Sequence, residues 1–327
     1  MRRDALIRAI HATPAAGVIA ATGGGSQLIA DLLGVAGASA TVLEARVPYA
    51  ASALTEFIGA APEQAVSTAT ACDMAMAAFE RARSLAPDLQ TPFGLAITAS
   101  LRSNRDKRGE HRVHVAMQTP SLTRCESLTL TKAARSRKQE EALTRDLALR
   151  CLATGLRLDA RPNSPCSRTN TSSRLTTWPK HRGRDCCVGR TPPWSRAQPL
   201  NQPHVLLPGS FNPLHAGHRA MAIFAEAHLG ARVAFELCIR NVDKPPLNYL
   251  AIAHRLAQFK SAETVILSRL PTFIDKAREF PGTTFLVGID TLVRIAQAKY
   301  YGSALRATMR LRNSRTSIAA SSCSVAA

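Results

Sequence analysis

The sequence lacks the features that mark several large classes of protein. Its eight cysteines form no Cys-x-x-Cys pair and no spacing with histidine that would hold zinc, so neither a zinc module nor a disulfide scaffold is expected. No apolar run reaches the ~18 residues that a membrane-spanning helix needs. We therefore predict a cytoplasmic protein with free thiols, no metal site of its own and no membrane partner.

Acidic residues are also scarce, with 23 Asp and Glu against 42 Lys and Arg, which gives a net charge of +19. Such a balance favours anionic ligands. Much of the excess lies in residues 156–202 and 303–327, where Arg stands among Ser, Thr and Pro without helical periodicity. Nucleic acid is thus not the expected partner, and an RNA-binding arm in residues 156–202 is the minor alternative.

The most informative stretch begins at an apolar run, Val205 to Leu207, which predicts a buried parallel strand. The run breaks at Pro208-Gly209 into a short loop, and a helix is predicted to open near Ala216. A strand, a glycine-bearing loop and a helix N-terminus together form an anion site, because backbone N–H groups and the helix dipole both favour a phosphate. His215 and His218 would lie at the start of that helix.

Gly209-Ser-Phe-Asn-Pro-Leu-His-Ala-Gly-His218 resembles the G-x-F-[DN]-P-x-H-x-G-H signature of the nucleotidylyltransferase superfamily. Its Phe-Asn-Pro variant looks most like nicotinamide or nicotinate mononucleotide adenylyltransferases. The resemblance implies a Rossmann-like α/β domain with a parallel sheet that transfers AMP from ATP to the mononucleotide and releases pyrophosphate, a step of NAD biosynthesis. Two alternatives stay open: a cytidylyltransferase, and a catalytically degenerate nucleotide-binding or regulatory protein.

The resemblance also implies roles for individual residues. The catalytic pair would be His215 and His218, both able to donate hydrogen bonds to the phosphates of ATP. The nucleotide-binding residues would be Gly209, Ser210, Phe211, Asn212, Lys244, Gly288 and Asp290. The partners would be ATP and a mononucleotide, with Mg²⁺ as cofactor, carried by the triphosphate rather than by protein ligands.

The N-terminal half contains a second strand, glycine turn and helix, in Gly17-Val-Ile-Ala-Ala-Thr-Gly-Gly-Gly25 and the following residues to Leu33. With Val47-Pro-Tyr49 and the strand Phe93 to Thr98, it resembles the CinA C-terminal family, whose active members deamidate nicotinamide mononucleotide. The resemblance implies an α/β domain. The turn is a second candidate site for a phosphate.

Deamidase chemistry is not expected from this half. Leu54 stands where the family places an activating lysine, five positions after its tyrosine, and leucine cannot exchange a proton. The resemblance therefore implies binding alone. The residues of this pocket would be Thr22, Gly23, Gly24 and Tyr49.

These patterns divide the chain into four segments. Residues 1–155 form the CinA-like domain, 156–202 a disordered basic linker rich in Pro, Ser and Arg, 203–302 the nucleotidylyltransferase domain, and 303–327 an irregular tail. Within the first domain a helix is predicted from Leu122 to Leu152.

The second domain is predicted to be truncated. The Ile-Ser-Ser-Thr-x-x-Arg motif that its family uses to bind the triphosphate is missing after Tyr300, which counts against activity. The sequence leaves open whether residues 156–202 and 303–327 are native or come from a disrupted reading frame. It also leaves open whether the protein forms a homo-oligomer.

Overall fold

The computed structural model describes residues 3–104, 108–158, 205–240, 246–289 and 291–292, together with the backbone of three strands at 171–177, 187–188 and 317–321. The chain divides into two compact units. Unit 1 comprises residues 1–179 with 243–250, and unit 2 comprises residues 180–242 with 251–327.

Unit 1 is built on a six-stranded sheet in the order β2-β1-β3-β4-β5-β6. Its strands are β1 (Ala16–Thr22), β2 (Val42–Arg46), β3 (Pro92–Ser100), β4 (His111–Thr119), β5 (Leu122–Leu130) and β6 (Thr171–Thr177). Its helices are α1 (Arg3–His11), α2 (Ser26–Leu33), α3 (Ala51–Ile58), α4 (Thr68–Leu85) and α5 (Arg137–Gly155), with a 3₁₀ turn at Ala38–Ala40.

The central strands β1 and β3 run parallel and are buried on both faces. Their near-continuous apolar sequences are what a sheet covered by helices on each side requires. Gly94 shows how closely α4 lies on this sheet, since a Cβ atom there would come within 2.1 Å of the Ala75 carbonyl oxygen. The predicted α/β class is therefore confirmed for unit 1.

One element of unit 1 differs from the prediction. Leu122–Leu130 is a strand, not the first part of a helix, and it pairs antiparallel with β4 along its whole length. Its apolar residues, Leu122, Cys125, Leu128 and Leu130, are spaced three, three and two apart, so the pattern alone does not distinguish a strand from a helix. The helix begins only at Arg137, after Ser136 accepts a hydrogen bond at its N-terminus from the Gln139 N–H.

Unit 2 contains a sheet in which every pair of strands is parallel, in the order β12-β11-β8-β9-β10-β7. Its strands are β7 (Cys187–Val188), β8 (Val205–Gly209), β9 (Val233–Cys238), β10 (Thr264–Ser268), β11 (Thr284–Gly288) and β12 (Ser317–Ser321). Its helices are α6 (Ala216–Leu229), α7 (Tyr249–Leu256, which begins in unit 1) and α8 (Phe273–Glu279).

The strand order of unit 2 identifies where a ligand would bind. The chain runs from β8 outward through β9 to β10, and then returns to the other side of β8 with β11. This reversal makes the gap between β8 and β11 a topological switch point, and open α/β sheets bind ligands outside the carboxyl ends of the strands at such a point. The carboxyl ends of these two strands are Gly209 and Gly288.

Strands also occur in the segments predicted to be irregular. β6 and β7 lie within residues 156–202, and β12 lies within residues 303–327, where it extends the sheet of unit 2 beside β11. The apolar Ile318, Ala319 and Ala320 that the tail prediction passed over form the centre of β12. Apart from residues 156–158, the remaining residues of both segments lie outside the described part of the chain.

Four of the cysteines are described, and all four are free: Cys72, Cys125 and Cys151 are buried and Cys238 is half-buried. Within the described residues, no helix combines the length and the apolar character needed to cross a membrane.

His114 of β4 is held among hydroxyl groups beneath the start of α4. Its Nδ1 lies 2.7 Å from Ser127 Oγ and 3.3 Å from Thr68 Oγ1, and among the described residues its buried Nε2 has no hydrogen-bond partner. Burial, and then the charge of Arg112, lowers the pKa of His114 to about 4. The folded protein therefore keeps this ring neutral under conditions in which the unfolded chain protonates it.

We expect this histidine to make unit 1 less stable in acid. Between pH 6.5 and about 4 the unfolded chain binds a proton that folded His114 does not, so the free energy of unfolding falls as the pH falls through that window. His114→Gln should flatten the fall, as measured by urea unfolding of wild type and variant at pH 7 and pH 4.5. The exposed His228→Gln is the control; equal pH dependence in wild type and the His114 variant would contradict the assignment.

Candidate functional site

The loop between β8 and α6 is anchored by one aromatic side chain. Phe211 is 1% exposed, and its ring meets Phe235 and Phe259 edge-on at centroid distances of 5.7 and 5.3 Å. Its backbone takes a positive φ of 47°, which turns the chain sharply. The neighbouring Ser210 and Asn212 are exposed. The loop therefore buries the Phe211 ring and exposes the residues on either side of it to solvent.

Backbone N–H groups of this loop are available to a ligand. Within the described residues, no hydrogen bond engages the N–H groups of Ser210, Phe211, Asn212, Ala216 or Gly217. The last two open α6, at the positive end of its dipole. The predicted strand, loop and helix are thus present at the carboxyl end of β8, and phosphate binding there remains a prediction.

The two histidines lie against each other at the start of α6. Their ring centroids are 3.8 Å apart with the planes inclined by 33°. His215 is exposed, whereas His218 is half-buried and meets the Phe211 ring edge-on at 5.2 Å. The structure therefore brings together the catalytic pair inferred from the sequence.

One hydrogen bond fixes the tautomer of His218. Its Nδ1 accepts from the His215 backbone N–H at 3.3 Å, so the neutral ring carries its proton on Nε2. Burial, and then the nearby His215, lowers the pKa of His218 below its usual value. At neutral pH this ring is a neutral donor through Nε2–H, suited to a phosphate oxygen.

Two glycines of the signature, Gly209 and Gly217, lie close to the rings of neighbouring residues. A Cβ atom on Gly217 would lie 3.1 Å from both Cε1 and Nδ1 of the His215 ring, which would have to move. A Cβ atom on Gly209 would lie 2.6 Å from the Phe211 ring. Gly209 is therefore needed for the observed Phe211 ring position, whereas a Cβ atom at position 217 would displace the exposed His215 ring by a few tenths of an ångström.

Three further residues hold this loop, and the sequence reasoning missed them. Arg219 donates to both carboxylate oxygens of Glu263, at 2.7 and 3.2 Å, and to the backbone oxygen of Gln258 at 2.9 Å. The Gln258 side chain bonds the loop itself. Arg219 directly follows His218, but its partners lie about 40 residues later, and no local pattern signals that pairing.

The other residues predicted for the nucleotide are only partly described. Gly288 is half-buried at the end of β11, and a Cβ atom there would meet nothing within 4 Å, so its backbone faces open space. Lys244 and Asp290 lie outside the described residues. No group of three His, Cys, Asp or Glu side chains gathers as a metal site in the described parts of the chain.

Lys276 belongs to a buried pair rather than to the ligand edge. It is 3% exposed and donates to Glu236 Oε1 at 2.6 Å, an oxygen that also accepts from Ser268 Oγ. Glu236, in the middle of β9, is completely buried. The pair fixes α8 against the sheet.

The glycine turn of unit 1 is closed by a carboxylate of the same chain. Glu141 Oε1 accepts from the Gly25 N–H at 2.8 Å, from Ser26 Oγ at 3.0 Å and from the Gln27 N–H at 3.5 Å. A phosphate at the start of α2 would therefore have to displace Glu141. Mononucleotide binding at this turn remains a prediction that must meet this requirement.

The remaining residues predicted for the pocket of unit 1 differ in environment. Thr22 is buried at the end of β1, Gly23 and Gly24 are half-buried, and Tyr49 is 68% exposed. Gly23 has a φ of 72°, and a Cβ atom there would meet the Ala99 oxygen at 1.9 Å. Leu54, at the position of the missing base, is buried in the core between α3 and the sheet.

Comparison with known proteins finds similarities in the C-terminal half of the chain. Residues 206–295 match the family model described as Cytidylyltransferase-like. A Schizosaccharomyces pombe protein named "Putative nicotinamide mononucleotide adenylyltransferase" is 30% identical over 120 residues, which cover 32% of this chain and 47% of the relative. The chain thus spans about half the length of that relative. Residues 206–295 in the C-terminal half are therefore similar to cytidylyltransferase-like domains, in agreement with the signature.

Solved structures align with the N-terminal half. The competence/damage inducible protein CihA of Agrobacterium tumefaciens is 22% identical, with 47% of this chain and 94% of that chain covered and a TM-score of 0.38. A CinA superfamily protein of Klebsiella pneumoniae 700603 is 18% identical, with 48% and 99% covered and a TM-score of 0.37. The names of these structures include the CinA family that the sequence resembles. The low identity to them shows nothing about activity.

The capping role of Glu141 predicts a loss of stability. Glu141→Gln removes the charge that faces the N-terminus of α2, and it should lower the free energy of unfolding by about 1–2 kcal/mol. Urea unfolding followed by far-UV circular dichroism measures the change. The exposed Glu63→Gln should leave stability within about 0.5 kcal/mol of wild type; a similarly small change in the Glu141 variant would contradict the role.

The contact between Gly217 and His215 predicts a local displacement. Gly217→Ala should push the His215 ring from its place against His218, because the added methyl group lies too close to Cε1 and Nδ1. Histidine ring resonances in ¹H–¹³C spectra should shift for both residues and stay fixed for His254 and His228. Gly109→Ala, at a position with open surroundings, is the matched control, and unchanged resonances in the Gly217 variant would refute the packing.

Proposed function

We propose that unit 2 transfers AMP from ATP to nicotinamide or nicotinate mononucleotide and releases pyrophosphate. The observation that carries the proposal is the pair of stacked histidines beside five unengaged backbone N–H groups. They lie at the end of β8, where the strand order reverses. The S. pombe relative, by its name, favours a nicotinamide mononucleotide as the acceptor.

The reaction needs positioning more than covalent chemistry. A phosphate oxygen of the mononucleotide attacks the α-phosphorus of ATP in line, a new P–O bond forms, and the bond to the bridging oxygen of pyrophosphate breaks. The His218 Nε2–H and the amides of Ser210 and Phe211 would stabilise the charge that develops on the phosphate oxygens. Mg²⁺ bound to the triphosphate would neutralise part of that charge.

The other assigned residues would hold the two nucleotides. His215, which is exposed, would contact the outer phosphates. Lys244 would attract a nucleotide phosphate, and Asp290 and Gly288 would lie beside the adenosine. The backbone of Gly209 to Asn212 would enclose the phosphate on the side opposite the histidines.

Incubation with ATP, Mg²⁺ and nicotinamide mononucleotide tests the proposal, with NAD formation as the readout. His218→Ala should lower kcat roughly 100 to 1,000-fold, the usual cost of one preorganised donor. His228→Gln, at the other end of α6, should retain the wild-type rate. Nicotinate mononucleotide and CTP in parallel reactions identify the acceptor and the donor; a preference for CTP would replace the proposal with cytidylyl transfer.

A nucleotide-binding protein without transferase activity is the second candidate. This candidate is favoured because residues 300–327 do not contain the Ile-Ser-Ser-Thr-x-x-Arg motif that the resembled family uses to bind the triphosphate. Wild-type protein that binds Mg-ATP in calorimetry, loses that binding in His218→Ala and forms no NAD would establish this candidate. If the wild-type protein neither binds Mg-ATP nor forms NAD, both candidate functions are contradicted.

A further inference from the structure

We infer that Gln258 is the positioning residue that holds the histidine-bearing loop in its ligand-binding shape. The Gln258 side chain lies beyond the end of α7, more than forty residues from the loop in sequence, and is half-buried. The inference deepens the proposed function and rests on it for its catalytic consequence. Its structural part can be measured without any enzymatic activity.

The amide of Gln258 bonds the loop at two points. Its Oε1 accepts from the Leu214 N–H at 2.8 Å, and its Nε2 donates to the Phe211 carbonyl oxygen at 3.1 Å. One amide group thus binds the chain on both sides of Asn212-Pro213. A side chain needs both a donor and an acceptor to do this, and the uncharged amide of Gln258 supplies them on two separate atoms, the donor Nε2 and the acceptor Oε1.

No other hydrogen bond of the described residues reaches residues 210–214. Strand pairing ends at Gly209 and α6 begins at Ala216, so neither the sheet nor the helix fixes this segment. The Phe211 ring anchors one point of it by packing. Gln258 supplies the remaining restraint.

Gln258 is itself held from α6. Its backbone oxygen accepts from Arg219, which is paired with Glu263, and Glu263 also accepts from the Lys260 N–H at 2.7 Å. Arg219 follows His218 directly in α6. The loop and the helix that carries His218 therefore bind to the same residue, and the position of the histidines depends on both attachments.

Loss of the side-chain amide would leave two polar groups unsatisfied in a poorly hydrated place. Leu214 is 9% exposed, and its N–H would lose its partner. The loop would then sample other shapes while the sheet and helices stay folded. A shift of about 1 Å in a positioning group can cost roughly 100-fold in rate.

Hydrogen exchange with mass spectrometry tests the structural part. Gln258→Glu keeps the acceptor for Leu214 but places a second oxygen against the Phe211 carbonyl, and Gln258→Met removes both bonds. In each variant the hydrogen-bonded amides of the peptide spanning residues 210–216, those of Leu214 and His215, should exchange roughly 10-fold faster than in wild type, with β8 and β9 unchanged. His254→Ala, exposed on the preceding helix, is the matched control. Wild-type exchange in both Gln258 variants would overturn the inference.

Lowering the pH should restore both hydrogen bonds in the Gln258→Glu variant. A protonated carboxyl group has an O–H donor and a carbonyl acceptor, so it can make both bonds again. Relative to wild type at the same pH, loop protection in Gln258→Glu should recover as the pH falls from 7 to about 4, whereas Gln258→Met should not recover. A general loss of packing would give no such difference, and equal behaviour of the two variants would refute the two-bond role.

The catalytic part is measured by NAD formation. In both Gln258 variants kcat should fall about 100-fold with thermal unfolding within a few degrees of wild type, and His254→Ala should remain fully active. If wild type forms no NAD, the proposed function fails while the exchange result still decides the role of Gln258. If amide exchange in the loop becomes faster but kcat stays at the wild-type value, the inference that Gln258 positions the loop for catalysis is wrong.

Discussion

The site in unit 2 depends on one buried ring. Phe211 sits in a segment with positive φ, and its packing against Phe235 and Phe259 fixes where the chain leaves the sheet. Gly209 must lack a Cβ for that ring to lie where it does, and His218 rests on its edge. The open amides follow from this packing together with the two hydrogen bonds of Gln258, and the donor on His218 Nε2 is set by the bond from the His215 N–H to Nδ1.

Local patterns predicted the strand, loop and helix of this site, since each of those elements is specified within a few residues. The apolar run from Val205, the glycine at position 209 and the periodicity of α6 act over short range, and the structure gives β8 and α6 at those places. The strand Leu122 to Leu130 was misassigned because its apolar residues are mostly three apart, as in a helix, and only pairing with β4 distinguishes it. The tail strand β12 is likewise defined by its neighbour β11.

Long-range contacts explain what the sequence did not reveal at the sites. Gln258 and Glu263 have no motif, and their roles arise from hydrogen bonds across more than forty residues. The ammonium group of Lys276 is directed to Glu236 inside the domain. A charged residue therefore does not by itself indicate a ligand contact, because burial beside an opposite charge serves structure equally well.

The two glycine turns of this chain show why a strand, a turn and a helix are not sufficient for an anion site. Both place N–H groups at a helix N-terminus, and both attract negative charge. In unit 1 the chain supplies that charge itself, since Glu141 reaches from α5 to accept from Gly25, Ser26 and Gln27. In unit 2 the corresponding amides have no partner among the described residues, and the nearest titratable groups are histidines that can donate. The identity of the side chain opposite the turn, fixed only by tertiary structure, decides whether the positive end of the helix is filled by the protein or left for a phosphate.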